Sequence, residues 1–348
     1  MTHQENAPLS VTPGAIRFNT DSMKLEYYRG GPVGFGITTQ TGEWVNLTTD
    51  TPDIQTGGAR GLFSRGFSSP ANLNTIDYIT ISTTGNAIDF GDSTMTNRQG
   101  GALASRTRSL TAGNDSATNT IDYVTISSTG NAQDFGDLNQ ARGALPAGVS
   151  NSTRGMFAGG ASPATLDAID YVTIASTGNA VDFGNLTQAR QDGVSGCQSS
   201  TRAVFAGGQT PTIVDTIDYV TTATLGNAAD FGNLTETRRS GSGCGNAIRG
   251  IFAGGYQPAH KDTIDYITIA TLGNAQDFGN LSSVSVFGTA VASSTRGCHY
   301  IGYQQPTGLV STIDYVQIMS VGDAIDFGDI SQNREQSAGS SNGHGGLG

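Results

Sequence analysis

The chain has 348 residues, a formal net charge of −11 and 49 glycines, about twice the glycine share of an average protein. This composition argues against a helix-rich fold, because a glycine inside a helix costs about 1 kcal/mol relative to alanine. The acidic charge argues against nucleic acid as a partner, because phosphate binding needs a basic patch. No apolar run is long enough to span a membrane and the N-terminal sequence does not read as a secretory signal, so we expect no membrane insertion.

Residues 1–58 contain three predicted strands. The stretch 14–30 reads as a hairpin, with Ile16 and Phe18 on one arm and Leu25 and Tyr27 on the other, and a third strand follows at Glu43–Leu47. A sheet of this size is marginally stable by itself. We therefore predict a small N-terminal β module, domain 1–58, that docks on a partner.

The rest of the chain is a repeat. The string Ile-Asp-Tyr occurs six times, with its tyrosine at Tyr78, Tyr123, Tyr171, Tyr219, Tyr266 and Tyr315. Each unit predicts four short strands, which in the fourth copy are Gln191–Ser200, Thr201–Gly208, Thr216–Thr224 and Ala228–Gly232, with a two-residue hairpin turn at Gly226-Asn227. Four strands in about 47 residues, repeated six times, predict an all-β protein with a six-bladed β-propeller over 59–348.

The ends of the repeat predict that the propeller is closed. The first copy begins at its second strand, and the chain ends with a segment that matches a first strand. We expect this C-terminal strand to complete the first blade. Closure pairs the edge strands that a linear solenoid would leave open at its two ends. In the third strand of a blade, Ile76 and Tyr78 should face one neighbouring blade and Ile79 and Ile81 the other.

The repeat resembles the kelch motif. An arginine is followed by an aromatic strand that ends in Gly-Gly, at Gly159-Gly160, Gly207-Gly208 and Gly254-Gly255, and then by a strand with a tyrosine. The phenylalanine of Asp-Phe-Gly stands where kelch repeats carry a tryptophan. The resemblance implies a propeller but no particular function, because kelch propellers serve many roles.

A second resemblance concerns function. The pieces Ile-Arg-Phe-Asn-Thr-Asp-Ser, Lys-Leu-Glu-Tyr-Tyr and Gly-Glu-Trp-Val-Asn-Leu of residues 1–58 are similar to short modules of bacteriophage tail fibres and other virion proteins, and the repeats resemble those of structural proteins of marine and cyanobacterial phages. This implies a virion component, most simply a tail fibre or appendage, bound to other virion proteins through residues 1–58 and contacting host surface polysaccharide. A capsid decoration protein and a free-standing glycan-binding propeller stay open as alternative functions. A docking module of this size also predicts either attachment or self-association into a homo-oligomer.

Charged residues recur in register with the blades. We expect arginine–carboxylate pairs between strands. The aspartates form two sets, Asp77, Asp122, Asp170, Asp218, Asp265 and Asp314, and Asp89, Asp134, Asp182, Asp230, Asp277 and Asp326. The arginines also form two sets, Arg60, Arg108, Arg154, Arg202, Arg249 and Arg296, and Arg98, Arg142, Arg190, Arg238 and Arg334.

The sequence predicts no catalytic residue, metal site or cofactor, and we expect no enzyme activity. Asp-Phe-Gly recurs six times without the other kinase motifs, and the four histidines share no ligand spacing. Cys197 and Cys244 occupy a register that is otherwise apolar, so packing is the expected role of these cysteines.

Variation between the copies indicates where a ligand would bind. The loop between the second and third strands differs from copy to copy, while the frame around it repeats. Loops on a rigid scaffold are where recognition residues concentrate, and planar rings with amides suit sugar faces and hydroxyls. The candidate ligand-binding residues, from the fifth and sixth loops, are Tyr256, Gln257, His260, Lys261, Tyr303, Gln304 and Gln305.

Overall fold

A computed structural model describes residues 15–19, 24–30, 42–46 and 59–347. The chain divides into two compact units, Met1–Thr51 and Pro52–Gly348. In the first unit, β1 (Ile16–Asn19), β2 (Lys24–Gly30) and β3 (Gly42–Asn46) form one antiparallel sheet in that order. The pairing of Ile16 with Tyr27 and of Phe18 with Leu25 confirms the predicted hairpin.

Residues 59–347 form six antiparallel sheets of four strands each, which are the blades of the predicted β-propeller. Blade 1 contains β4 (Arg60–Ser68), β5 (Ala71–Thr80) and β6 (Ile88–Asn97), and blade 2 contains β7 (Gly101–Ala104), β8 (Arg108–Ala112), β9 (Thr118–Thr125) and β10 (Gln133–Arg142). Blade 3 contains β11 (Ala147–Ser150), β12 (Arg154–Ala158), β13 (Ala168–Thr173) and β14 (Val181–Asn185), and blade 4 contains β15 (Ser195–Gln198), β16 (Arg202–Ala206), β17 (Thr216–Thr221) and β18 (Ala229–Asn233).

Blade 5 contains β19 (Ser242–Gly245), β20 (Arg249–Ala253), β21 (Lys261–Thr268) and β22 (Gln276–Ser285). Blade 6 contains β23 (Thr289–Ala292), β24 (Arg296–Tyr300), β27 (Thr312–Gln317) and β28 (Ile325–Asp329). A short hairpin of β25 (Tyr303–Gln304) and β26 (Gly308–Leu309) lies in the loop between β24 and β27. No helix in the described part of the chain is long and apolar enough to cross a membrane.

The propeller closes as predicted. The last strand, β29 (Ala338–Ser341), pairs antiparallel with β4 and becomes the inner strand of blade 1. The alternation in the third strand is also confirmed. Ile76 and Tyr78 pack against side chains of blade 2, and Ile79 and Ile81 pack against side chains of blade 6.

The strand connections define two faces. The lower face carries the loops from first to second strand and from third to fourth strand within each blade. The upper face carries the loops from second to third strand and the connections between blades. The lower end of the central channel is covered by residues 342–347, where the His344 Nε2 atom donates to the Ala104 carbonyl over 2.7 Å and the Arg106 guanidinium donates to the Leu347 carbonyl over 2.6 Å.

The predicted two-residue turn at Gly226-Asn227 is wrong. β17 ends at Thr221 and β18 begins at Ala229, so the connection has seven residues, and it bonds to the preceding blade. The Gly226 N–H donates to the Phe183 carbonyl over 2.9 Å, and the Asn227 Oδ1 atom accepts a bond from the Asn185 N–H over 3.1 Å. The glycine and asparagine therefore join neighbouring blades instead of turning one hairpin.

This contact explains two recurring glycines. Gly226 has φ +151°, a conformation that side chains disfavour. A Cβ on Gly184 of the preceding blade would stand 2.4 Å from the Gly226 carbonyl oxygen, so the two backbones can approach only without side chains. The same bond recurs at each of the six blade interfaces in residues 59–347, and it closes the ring where the Gly85 N–H donates to the Phe327 carbonyl over 2.9 Å.

Buried arginine–aspartate pairs hold successive blades together, as predicted for four arginines. Each arginine ends the fourth strand of one blade or follows it and reaches the third strand of the next. Arg142 pairs with Asp170 at 2.6 Å, Arg190 with Asp218 at 2.6 Å, and Arg334 with Asp77 at 2.8 Å, and Arg238 pairs with Asp265. All four guanidinium groups are at most 3% exposed.

Arg98 does not belong to this set. It lies one residue beyond the register, which Asn97 occupies, and it pairs near the surface with Asp115 at 3.2 Å. The buried position beside Asp122 is taken by Arg65, which reaches it from β4. The sequence pattern could not predict this replacement, because Arg65 comes from another strand.

The expected carboxylate partners are wrong for the arginines that begin the second strands. Their guanidinium carbons lie 4.5 to 4.9 Å above the centres of the repeated tyrosine rings. Their Nη1 atoms donate to carbonyls of neighbouring blades, as Arg154 does to Thr222 over 2.8 Å. The aspartates that precede the repeated phenylalanine are exposed, and none of them forms an ion pair within residues 59–347.

The interface between blades 5 and 6 departs from the repeat at two positions. Ser285 replaces the arginine, so the buried carboxylate of Asp314 accepts bonds only from the Ser282 N–H and hydroxyl, and burial raises its pKa. His299 stands where four other blades have phenylalanine. Its Nδ1 atom lies 3.0 Å from the Ser242 hydroxyl and its Nε2 atom 3.7 Å from the Cys244 sulfur.

Acid should weaken the fold through His299. Burial lowers the pKa of His299 to about 4, so the folded state holds it neutral while the unfolded chain takes up a proton. This difference lowers the unfolding free energy of the protein by about 3 kcal/mol as the pH falls from 6.5 to 4. We expect His299→Phe, the residue of blades 1, 3, 4 and 5, to flatten the dependence of the unfolding free energy on pH in this window. Urea titrations at pH 7, 5.5 and 4 measure this, and an unchanged slope would contradict it.

Cys197 and Cys244 pack as predicted, and Cys298 is buried in the same way. All three are free and buried, and they lie within apolar clusters between blades. Burial raises the pKa of the Cys298 thiol to about 12, so it stays protonated at neutral pH.

Candidate ligand-binding face

The loops of the upper face share one backbone scaffold. In blades 3, 4 and 5 the loop after the second strand forms a short bridge between the first and fifth residues that follow its double glycine, which are Ala161 and Thr165, Gln209 and Ile213, and Tyr256 and His260. The first residue also bridges to the connection from the preceding blade, as Tyr256 does to Arg239. The frame is therefore fixed while its side chains differ from blade to blade.

Three candidate residues come together on this scaffold. The ring centres of Tyr256 and His260 are 5.8 Å apart and those of His260 and Tyr303 are 5.7 Å apart, each pair at an angle of 72°. Tyr256 and His260 belong to blade 5, whereas Tyr303 begins β25 of blade 6. The structure thus forms one aromatic cluster, Tyr256–His260–Tyr303, from two loops that are distant in sequence, and all three side chains are half-buried.

An arginine extends the cluster toward blade 4. The Arg239 guanidinium carbon lies 5.5 Å above the Tyr256 ring. The Arg239 Nη1 atom donates to the Asp192 carboxylate and to the Gln209 Oε1 atom, each over 2.6 Å. These bonds hold the guanidinium in place, and a fixed cation against an aromatic face restricts the motion of the ring.

The charges of the cluster are balanced internally. Arg239 is neutralised by Asp192 and Lys261 by Glu236 at 2.5 Å. Burial lowers the pKa of His260, which favours its neutral form, and its Nδ1 atom is buried without a hydrogen-bond partner. A face of neutral rings between compensated charges suits a neutral ligand with C–H faces and hydroxyl groups better than a free anion.

The remaining candidates lie beside the cluster. Gln257 and Gln304 are half-buried and Gln305 is exposed, and among the described residues none of their side-chain amides forms a hydrogen bond within the protein. Lys261 begins β21, and Glu236 holds its ammonium group. The amides are thus available for a ligand, whereas Lys261 supports the loop.

Sequence reasoning missed Arg239, Asp192 and Gln209. Arg239 follows the repeated Arg238 directly. This doubling was a usable signal, because the other four arginines of that set are followed by Gln99, Gly143, Gln191 and Glu335. Asp192 and Gln209 lie in another blade, and only their approach to Arg239 in three dimensions identifies them.

Neither a protein-family model nor a curated protein matches this chain. Among the described residues, no group of three His, Cys, Asp or Glu side chains is arranged to hold a metal ion. The geometry of the upper face and the resemblances in the sequence are therefore the features that point to a function.

Proposed function

We propose that this protein is a structural component of a bacteriophage particle, as a tail fibre or appendage, and that its upper face binds a neutral carbohydrate of the host surface. Residues 1–58 would bind the particle, consistent with their resemblance to modules of virion proteins. The observation that carries the binding role is the aromatic cluster Tyr256–His260–Tyr303, set on a scaffold that carries Ala161 and Thr165 in blade 3 and Gln209 and Ile213 in blade 4.

The contacts between blades make the propeller a rigid support for the loops of the upper face. Hydrogen bonds between backbones join blades 4, 5 and 6, and a buried ion pair also joins blades 4 and 5, so the loops of these blades keep a fixed spacing. Preformed rings lose little conformational entropy when they bind, and aromatic faces pack on the C–H faces of a sugar ring. Weak contacts of this kind gain strength when a particle carries many copies.

The location is tested by analysis of purified particles. Mass spectrometry of particles of the virus that encodes this chain should detect it in stoichiometric amounts, and labelling with an antibody against residues 59–347 should place it on the tail or an appendage. Absence of the protein from purified particles would refute the proposal. Labelling of the head shell would identify a decoration protein instead.

The binding role is tested by substitution in the aromatic cluster. We expect Tyr256→Ala with Tyr303→Ala to weaken binding of the full chain to immobilised host polysaccharide at least about tenfold, because loss of one aromatic stacking partner costs about 1–3 kcal/mol for a flat ligand such as a nucleic-acid base. Binding is measured on a glycan array and by surface plasmon resonance. The double variant should unfold at the same temperature as the wild type, because both side chains lie outside the blade cores.

The equivalent loop of blade 3 provides the control. Changing Thr165→Ala should leave the affinity unchanged, since that loop carries no ring. Equal binding by the wild type and the Tyr256/Tyr303 variant would place the glycan elsewhere. Strong glycan binding by a protein that is absent from particles would favour the second candidate, a free-standing glycan-binding propeller.

A further inference from the structure

The lower face of the propeller exposes more large apolar side chains than the upper face does. Within residues 59–347, the large apolar side chains that are more than half exposed number eight: Ile88, Val181, Leu225, Ile248, Leu272, Met319, Val321 and Ile325. All eight lie in loops from first to second or from third to fourth strand, or at the start of a fourth strand, which is the lower end of a blade. None lies on the upper face, so the large apolar side chains that are more than half exposed are confined to one side of the ring.

The repeat supplies an internal reference for these residues. Leu225, Leu272 and Val321 precede the loop glycine in blades 4, 5 and 6, where blades 1, 2 and 3 carry Thr84, Thr129 and Thr177, also exposed. The backbone is the same in both groups, since the loop glycines have φ of 144° to 156° and donate to the preceding blade over 2.8 to 2.9 Å. The fold therefore does not require an apolar residue here.

The apolar residues are concentrated on one part of the face. Six of the eight belong to blades 4, 5 and 6, which are successive in the ring. Exposed apolar groups gathered in this way mark sites of protein association more often than chance exposure. We define this set, Leu225, Ile248, Leu272, Met319, Val321 and Ile325, as the lower apolar arc.

Acidic groups accompany the arc. Asp230, Asp277 and Asp326 are each the second residue of the fourth strand, in blades 4, 5 and 6. They are exposed and have no ion-pair partner within the propeller. The arginines of this face in blades 4 to 6, Arg202, Arg249 and Arg296, are half-buried, lie over tyrosine rings and donate to backbone carbonyls. An apolar arc with free carboxylates is complementary to a protein surface that has an apolar centre and basic side chains around it.

We propose that the lower apolar arc docks on such a basic, apolar surface of another protein of the particle, so that the variable upper face points outward. This inference rests on the proposed function and adds a second contact to that of residues 1–58. A second copy of this chain fits less well, because a symmetric contact between two lower faces would bring the free carboxylates of both copies together.

The test replaces three of the six arc residues with the residue that the chain itself has at the equivalent positions. The full-length triple variant Leu225→Thr, Leu272→Thr and Val321→Thr gives blades 4 to 6 the residue of blades 1 to 3. Particles prepared without this protein are mixed with wild type or variant and pelleted, and the bound fraction is titrated. We expect the variant to bind at least about tenfold more weakly, with an unchanged unfolding temperature, and we expect 0.5 M NaCl to weaken binding of the wild type.

The control is the Tyr256→Ala, Tyr303→Ala variant on the opposite face, which should bind the particles as the wild type does. Equal binding of the triple variant and the wild type would overturn the docking inference while leaving the proposed function intact. Failure to detect the protein in native particles would overturn the proposed function itself. A wild-type dimer in sedimentation experiments that becomes a monomer in the triple variant would show that a second copy covers the arc, which also overturns the inference.

Discussion

Deletion of residues 338–348 should unfold the propeller. Blade 1 then loses its inner strand, and β4 exposes a row of unpaired backbone groups together with the buried Leu62 and Phe63. We expect a loss of about 5 kcal/mol or more, which lowers the unfolding temperature by at least about 10 °C or leaves the protein insoluble. Circular dichroism during heating measures this. An unchanged melting curve would mean that the ring does not depend on closure by β29.

A permuted chain separates loss of the strand from loss of its position in the sequence. Residues 336–342 and one added serine are placed between residue 58 and Ala59, and the chain then ends at residue 335. The new loop consists of Asn342, the added serine and Ala59, so it has the same length as Asn151-Ser152-Thr153, which joins the equivalent strands of blade 3. The permutant should recover most of the lost stability, because the strand again pairs with β4.

Asp218→Asn should be among the most damaging point substitutions in the propeller. The Asp218 carboxylate accepts bonds from Arg190 at 2.6 Å and from the Thr187 N–H and hydroxyl, and both charged side chains are fully buried. An amide in its place leaves the guanidinium uncompensated away from water. We expect a loss of about 3–5 kcal/mol in the unfolding free energy, measured by urea titration at pH 7.

Asp314 provides the matched control for this substitution. It occupies the same position in blade 6 and bonds the Ser282 N–H and hydroxyl, but no arginine faces it. Burial raises its pKa, so its ionisation costs stability as the pH rises through the ordinary range of aspartate. We therefore expect Asp314→Asn to change stability at pH 7 by less than about 1 kcal/mol or to increase it. Equal losses at both positions would mean that the ion pair does not account for the effect.

The architecture could be predicted from the sequence because the strand pattern repeats six times along the chain. Six copies of a four-strand unit leave few alternatives for burying both faces of each sheet, and the truncated first copy with its matching final segment predicted how the ring closes. The cysteines were assigned to packing for the same reason, since the equivalent positions in other copies hold leucine and valine. Each of these inferences used one copy as the reference for another.

The errors came from contacts between blades. The glycine–asparagine pair has the composition of a hairpin turn, but it bonds to the outer strand of the preceding blade. Arg60 and its equivalents are spaced like partners for the repeated aspartates, yet their guanidinium groups lie over tyrosine rings. Local composition could not distinguish these outcomes, because the partner lies in another repeat.

The candidate site was also predicted only in part from the sequence. Variation between copies was enough to select the loops that carry Tyr256, His260 and Tyr303, but it could not show that the three rings meet or that Arg239, Asp192 and Gln209 support them. By itself the sequence determined the strand pattern, the number of blades and the loops free to vary, because these follow from periodicity and local conformation. Only the tertiary structure decided which side chains meet and which face is apolar, because closing the ring brings together residues that lie a whole repeat apart in the chain.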